Sequence, residues 1–269
     1  MSRQSNSDRI MENFFNGTYY GSSKDKLRLN GDNEILDCGT IIGKFVEGFD
    51  EFKNEYKQYL ILTLQDFKSQ PSWSKHKKDL IVAAKKAGII VIFVPELDMG
   101  FGLNKNKTIC KNTPINEFYT DLLKIAKYST ENIKAASCLI KPGFGEYKDE
   151  VIAYTYNQTD NDNIVQHAED ILIDYIKLFE KEPELEEGYG QFVSLIEPTE
   201  SSLQEMIDIG ASRIFFATPH SNKYNTSAYI QLVNDISNKS ITSINNKPVK
   251  YERVQDTRVE KFYDKEKIK

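Results

Sequence analysis

The stretch FVSLIEPTESSLQEMIDIGASRIFFA, residues 192–217, decides the predicted fold because two short apolar segments flank a helical one in it. Residues 192–196 and 213–217 are rich in strand formers. Between them, residues 201–209 place apolar side chains at helical spacing, and Gly210 ends the helix. Two strands joined through a helix in this way lie parallel in one sheet. The stretch therefore predicts a parallel strand pair covered by a helix.

The alternation of strands and helices continues on both sides of that stretch. Residues 135–140 and 151–156 predict a hairpin. A helix is predicted over residues 164–180, and another over residues 226–236. This order of elements needs helices on the faces of a mostly parallel sheet. We therefore predict an α/β fold, a three-layer α/β/α sandwich, over residues 131–255.

The N-terminal half has a similar pattern and predicts a second α/β domain over residues 31–130. Phenylalanines at helical spacing in residues 45–52 predict a helix. Residues 59–64 and 89–94 predict strands, with a helix over residues 74–86 between them. The domain is either a degenerate copy of the C-terminal one or an unrelated unit with the same punctuation. The remaining residues are predicted to form an N-terminal extension and a C-terminal tail, residues 1–30 and 256–269.

The composition narrows the class of protein and its compartment. With 269 residues, a net charge of -5 and a pI near 5.4, the chain has no global basic field for tight non-specific binding to nucleic acid. No apolar run approaches the roughly 20 residues of a membrane-spanning helix, and residues 1–17 lack a signal-peptide apolar region. The cysteines, Cys38, Cys110 and Cys138, are odd in number and far apart, which argues against a disulfide framework. We expect a cytoplasmic protein with no membrane partner.

Three short motifs lie in order on the elements of the C-terminal domain. They are Asn157 after the predicted hairpin, His-Ala-Glu at residues 167–169 where a helix begins, and Glu-Pro-Thr-Glu-Ser-Ser at residues 197–202 between a strand and a helix. Together they resemble the zinc-dependent cytidine, deoxycytidylate and tRNA-adenosine deaminases, whose motifs are His-Ala-Glu and Pro-Cys-x-x-Cys. The resemblance runs from about Cys138 to Ile236.

The resemblance implies roles for individual residues. His167 corresponds to a zinc ligand, Glu169 to the catalytic proton shuttle and Asn157 to a sugar contact. Pro198 belongs to the motif that borders the substrate, and His220 follows the strand whose end faces the pocket in that family. We therefore predict Glu169 as the catalytic residue and the others as substrate-binding residues.

The positions of the two zinc-binding cysteines hold Thr199 and Ser202 instead. Neutral hydroxyls are poor zinc ligands, so we expect no cofactor and assign these two residues to the substrate pocket. The alternative is an altered zinc site built on His167 with one of three further ligands, Glu197, Glu200 or His220.

These residues also have structural interpretations. Thr199 or Ser201 is typical of an N-cap for the helix that follows. Asn157 can shape the loop that it forms with residues 159–163. Glu169, if it is buried without a cationic partner, favours its neutral form or binds an amine.

A basic segment of the N-terminal half is a separate candidate for phosphate or nucleic-acid binding. More lysines follow it in residues 105–111, and Trp73 and Phe101 could stack on bases. The alternative is a solvated face, which is the usual role of such runs. The lysines of the helix are Lys75, Lys77, Lys78, Lys85 and Lys86.

The leading functional hypothesis is a deaminase-fold protein that has lost zinc-dependent deamination and binds a nucleotide, a nucleic acid or a protein partner. The first alternative is an active deaminase or related hydrolase, with an altered metal site or metal-free chemistry built on His167 and Glu169. The second alternative places the function in the N-terminal domain, with the other half as a scaffold. The resemblance also implies a homodimer.

Overall fold

The protein folds into two compact units in the computed structural model. Unit 1 comprises residues 1–106 and 159–164, and unit 2 comprises residues 107–158 and 165–269. The structure describes residues 6–17, 27–31, 33–50, 55–64, 73–97, 104–105, 107–109, 113–141, 149–159, 164–179, 190–219, 226–242 and 248–266.

Unit 1 combines two helices with short and long strands. The helices are α1 (Asn6–Phe15) and α2 (Trp73–Lys86). The strands are β1 (Leu27–Leu29), β2 (Glu34–Asp37), β3 (Thr40–Asp50), β4 (Glu55–Thr63), β5 (Ile90–Val94), β6 (Glu96–Leu97) and β7 (Asn104–Lys105).

The sheet of unit 1 has the order β1-β2-β3-β4-β5. Strands β1 to β4 pair antiparallel, and β5 pairs parallel with β4. Cys38 and Gly39 turn β2 into β3 with φ values of 51° and 87°, the left-handed backbone that a tight two-residue hairpin turn requires. The predicted strand, helix, strand unit is confirmed as β4, α2 and β5. The helix predicted over residues 45–52 is wrong for residues 45–50, which form part of β3, because pairing with β4 overrides the spacing of the phenylalanines. Residues 51–52 lie outside the described residues.

The described residues of unit 2 form five helices. The helices are α3 (Ile115–Ala126), α4 (Ala168–Phe179), α5 (Glu200–Asp208), α6 (Ser227–Ser237) and α7 (Thr257–Glu266). The strands are β8 (Lys107–Ile109), β9 (Ala136–Lys141), β10 (Asp149–Tyr156), β12 (Val165–Gln166), β13 (Gln191–Ile196), β14 (Arg213–Thr218) and β15 (Lys250–Arg253), and β11 (Gln158–Thr159) lies where the chain passes between the units.

The sheet of unit 2 is mixed. Strands β10 and β9 form the predicted antiparallel hairpin, and β13 pairs antiparallel with β9. Strands β13 and β14 are the parallel pair that residues 192–217 predict, and β15 extends the sheet in parallel beyond β14. The prediction of a mostly parallel sheet is therefore corrected, since only the β13-β14-β15 part is parallel within the described strands of this unit.

Helices pack against this sheet and make unit 2 an α/β sandwich, as predicted. Helix α4 contacts β9 and β10, and α3 contacts β9, β10 and β13. The strands between them supply fully buried side chains such as Leu139, Phe192 and Ile214. These apolar side chains hold the layers together because packing removes them from water.

Two helices differ from the predicted division of the chain. The predicted boundary at residue 130 places helix α3 in the N-terminal domain, but this helix packs on the strands of unit 2. Helix α7 lies in the predicted tail and is held by specific contacts: Arg258 bonds to the carbonyl of Asn116, and the Tyr263 hydroxyl donates to the carbonyl of Lys134. Such anchoring depends on distant residues, so the mixed charge of the segment did not predict it.

None of the helices in the ranges that the structure describes has the length and the apolar character needed to cross a bilayer.

Candidate functional site

A cavity of about 370 Å³ lies at the ends of central strands of the unit 2 sheet. The C-terminal ends of β10 and β13 lie beside the N-terminal end of β9, because Tyr156 pairs with Ala136 and Ser194 pairs with Ser137. The first turn of α4 lies at the same strand ends. Five of the predicted site residues line the cavity, namely Asn157, His167, Glu169, Pro198 and Thr199.

Glu169 is the buried acid of this cavity. It is the second residue of α4, and only 5% of its surface is exposed. Its Oε1 accepts a hydrogen bond of 2.6 Å from the Ser194 hydroxyl, which lies 2.9 Å from the Ser137 hydroxyl on the neighbouring strand. Burial raises the pKa of Glu169, and the hydrogen bond from Ser194 acts in the opposite direction. The surroundings therefore favour the neutral acid more than water does.

His167 lies immediately before α4. Its carbonyl accepts the hydrogen bond of the Ile171 N–H at 3.1 Å, so the residue joins the first turn of the helix. Its half-buried side chain lines the cavity beside Glu169. His167 and Glu169 therefore line one cavity, in agreement with the motif that contains both.

Asn157 holds the wall of the cavity together. Its Oδ1 accepts a hydrogen bond of 2.8 Å from the Ala135 N–H, and its Nδ2 donates one of 2.7 Å to the Ile133 carbonyl. The side chain is 5% exposed. These bonds satisfy backbone groups of the segment before β9. The loop of residues 159–163, which Asn157 is predicted to shape, lies outside the described residues from 160 to 163. Its contact with a sugar stays a prediction.

The start of α5 carries Thr199 and Ser202, the two residues that the sequence resemblance aligns with zinc-binding cysteines. Thr199 is the N-cap, as predicted, and its Oγ1 accepts a hydrogen bond of 3.3 Å from the Ser202 N–H. The hydroxyls of Thr199 and Ser202 lie 2.8 Å apart, and Ser202 is fully buried. Burial raises the pKa of Asp170, while the hydroxyl of Ser202 lowers it. Pro198 is buried just before the cap. Both hydroxyls thus have structural partners at the helix start.

These donors do not match the zinc site that the resemblance implies. Zinc prefers thiolate, imidazole and carboxylate ligands, whereas Thr199 and Ser202 offer neutral hydroxyls that already bond to each other. Across the described ranges, no group of three or more His, Cys, Asp and Glu side chains is arranged to hold a metal ion. In the alternative zinc site, His220 is one of the three residues that could join His167, and it lies outside the described residues. The absence of a cofactor stays a prediction.

A cluster of Glu197 with two tyrosines borders the cavity and was not predicted. The hydroxyls of Tyr229 and Tyr251 donate to Glu197 Oε1 at 2.6 and 3.1 Å, and they lie 2.7 Å from each other. Burial raises the pKa of both phenols, and the Glu197 carboxylate adds to the rise. The tyrosines lie 32 and 54 residues from Glu197 in the sequence, so no local pattern could reveal the cluster.

Glu200 and Ser201 have positions at the start of α5 outside this cluster. Glu200 Oε2 accepts a hydrogen bond from the hydroxyl of Thr226, the N-cap of α6. Ser201 is exposed, and its hydroxyl lies 3.2 Å from that of Thr199. Glu200 therefore links two helix starts.

The basic helix of unit 1 is α2. The Nζ of Lys77 lies 3.5 Å from the Leu64 carbonyl, and the side chain is buried. The remaining lysines of the helix, Lys75, Lys78, Lys85 and Lys86, are exposed. The structure does not describe Phe101, nor the side chains of Trp73 and of residues 105–111. A phosphate or nucleic-acid surface there stays a prediction.

Comparison with known proteins gives matches among solved structures alone. No protein-family model matches the chain. No curated protein matches it either. The dCMP deaminase from the cyanophage S-TIM5 in its apo form is similar at 12% identity and a TM-score of 0.37, over 53% of this chain and 99% of that one. The same enzyme in complex with dCMP and dUMP is similar at 14% identity and a TM-score of 0.37, over 53% and 98%.

Proposed function

We propose that unit 2 is a ligand-binding module related to the zinc-dependent deaminases, which binds a nucleotide or a related heterocycle without zinc-dependent deamination. The motifs of residues 167–169 and 197–202 support the relationship. A cavity of about 370 Å³ has room for a small planar molecule.

The contrast between two sets of side chains at the cavity carries the proposal. Glu169, at the position of the family's proton shuttle, is buried and lines the cavity. Thr199 and Ser202 align with the family's thiolates, but Thr199 Oγ1 caps α5 by accepting from the Ser202 N–H. The two hydroxyls lie within hydrogen-bond distance of each other. A site with the acid but without the metal ligands keeps a means of recognising a ligand and lacks the means of activating a water on zinc.

Metal content is the first test of this proposal. We expect the purified full chain to contain far less than one zinc per molecule, and His167→Ala to leave that content unchanged. Stoichiometric zinc that disappears in His167→Ala would contradict the proposal, because it would mean that other donors complete a metal site.

Ligand binding is the second test. A panel of nucleosides, nucleobases and nucleotides, dCMP and dUMP among them, should contain a compound that raises the melting temperature of the full chain. The shift should shrink in Glu169→Gln and persist in Glu260→Gln, because Glu260 lies on α7 outside the cavity. A panel without any stabilising compound would reject the binding role.

The second candidate function is a metal-free hydrolase. It is favoured by His167 and Glu169 lining one cavity, where a buried acid of raised pKa can move a proton beside an imidazole. In that case the chain turns over a member of the panel, and Glu169→Ala loses turnover while the protein stays folded. Unchanged turnover in that variant would remove Glu169 from the mechanism.

A further inference from the structure

The cavity of unit 2 has an acidic lining. The carboxyl side chains of Glu131, Glu169 and Glu197 line it together with the imidazole of His167. No Lys or Arg from the described residues of the unit contributes to the lining. Charges interact more strongly in a partly enclosed cavity than in water. The lining therefore attracts a cation and repels a phosphate.

The two deeper carboxyl groups are held in place by hydroxyl donors. Ser194 donates to Glu169 Oε1 at 2.6 Å, and Tyr229 donates to Glu197 Oε1 at 2.6 Å. Side chains that are fixed before binding lose little conformational entropy when a ligand arrives. Planar cations with two N–H donors make the strongest hydrogen bonds to such carboxylates.

Apolar side chains also line the cavity and are accessible to solvent. Ile133 is 47% exposed and Val165 is 42% exposed, and Ile196 is half-buried. Covering such side chains with a flat apolar body removes their surface from water. The lining thus offers both carboxyl groups and apolar contact to one small molecule.

We propose that the cavity binds a small planar organic cation, an amidinium or guanidinium head group on an apolar body. The head group faces Glu169 and Glu197, and the body covers Ile133 and Val165. This inference rests on the proposed function, because it assumes that the cavity is the ligand site, and it narrows the ligand to compounds without a phosphate.

Calorimetry of the full chain with three compounds of the same shape tests the charge preference. Benzamidine is the cation, benzamide is the neutral analogue and benzoate is the anion, and dCMP adds a phosphate. We expect benzamidine to bind at least roughly 10-fold more tightly than the other three. Glu169→Gln should weaken benzamidine binding roughly 10- to 100-fold.

Controls separate this inference from the proposed function. Glu260→Gln removes the same charge from α7 outside the cavity and should bind benzamidine as the wild type does. If Glu169→Gln fails to fold, Glu197→Gln should weaken benzamidine binding in the same direction. Binding of benzoate or dCMP as tight as that of benzamidine would overturn the inference and leave the proposed function standing. No binding of any of the four compounds would overturn the inference, and the panel of nucleosides, nucleobases and nucleotides would then decide the proposed function by itself.

Discussion

The first turns of α4 and α5 border the same cavity but use their polar side chains differently. Glu169 on α4 is buried and takes its hydrogen bond from Ser194 on a neighbouring strand. Thr199 before α5 accepts a hydrogen bond from the backbone N–H of Ser202, and the hydroxyls of the two residues lie 2.8 Å apart. A carboxyl group supported by another element stays available to a ligand, whereas hydroxyls that satisfy their own helix become part of its cap.

This difference bears on whether the start of α5 needs an ion. Two thiolates at these positions would need a cation to balance their charge, but the neutral hydroxyls of Thr199 and Ser202 need none. The helix start can therefore stay ordered without an ion.

Introducing thiolates at the start of α5 should produce the largest effect and would remove the contrast between the two helices. We expect Thr199→Cys with Ser202→Cys to bind zinc together with His167, because two thiolates and an imidazole are three of the ligands that zinc needs. Structural zinc in small peptides binds with about 10–16 kcal/mol. Elemental analysis should find zinc at about one per chain. The single Thr199→Cys variant and the double variant with His167→Ala should contain little, and a zinc-free double variant would mean that the two helix starts do not converge on one point.

Losing Asn157 should cause the next largest effect, because both helix starts border the cavity whose wall it holds. Asn157→Ala removes two hydrogen bonds to the backbone of residues 133 and 135 and leaves buried groups without these partners. We expect a loss of about 2–4 kcal/mol in the free energy of unfolding. Urea denaturation measures it, with Asn132→Ala as the exposed control. A loss no greater than that of the control would show that water replaces the side chain at no cost.

Replacing Glu169 with glutamine should change how the stability of the protein depends on pH. The raised pKa means that the folded protein keeps a proton that the unfolded chain loses, so stability from this group falls as pH rises from the ordinary value of 4.5 through the folded pKa. Glu169→Gln should therefore be more stable than the wild type at pH 8, with a difference that disappears near pH 4.5. Each unit of pKa shift corresponds to about 1.4 kcal/mol. Thermal denaturation across this range, with Glu260→Gln as control, would contradict the burial argument if the difference did not depend on pH.

Removing the cap of α5 should have the smallest effect. Thr199→Ala deletes the oxygen that accepts from the Ser202 N–H and should cost about 1 kcal/mol in the free energy of unfolding. Thr199→Ser keeps that oxygen and should cost less. Thr226→Ala deletes the corresponding cap of α6, whose Oγ1 accepts from the Tyr229 N–H at 3.0 Å, and provides the matched comparison. A much larger loss at Thr199 than at Thr226 would indicate a role beyond capping.

Part of the fold followed from local patterns, and part did not. Strands β13 and β14 with α5 between them were predicted correctly, because a buried parallel strand is a continuous apolar run. Strand β15, with the sequence KYER, was missed because only its pairing with β14 distinguishes this polar segment from a loop.

The candidate site was predictable to a similar extent. The motifs identified five residues that line one cavity, namely Asn157, His167, Glu169, Pro198 and Thr199. The prediction of a cap at Thr199 is confirmed. The hydrogen bonds of Asn157 to the segment before β9 were not predicted, because their partners depend on the register of β10 with β9. The hydrogen bonds of Tyr229 and Tyr251 to Glu197 were not predicted either, because these residues lie far apart in the sequence.

The sequence by itself determined which residue types stand at the two helix starts, and therefore that neutral hydroxyls and no thiolates lie at the start of α5. It also determined the order of the strands and helices around them, since periodicity and turn residues are local properties. Only the tertiary structure decided that Glu169 is buried against Ser194, that Glu197 is held by two tyrosines and that no Lys or Arg of the described residues lines the cavity. Burial and charge balance arise from residues far apart in the chain, and their effect on a carboxyl group exists only when folding brings them together.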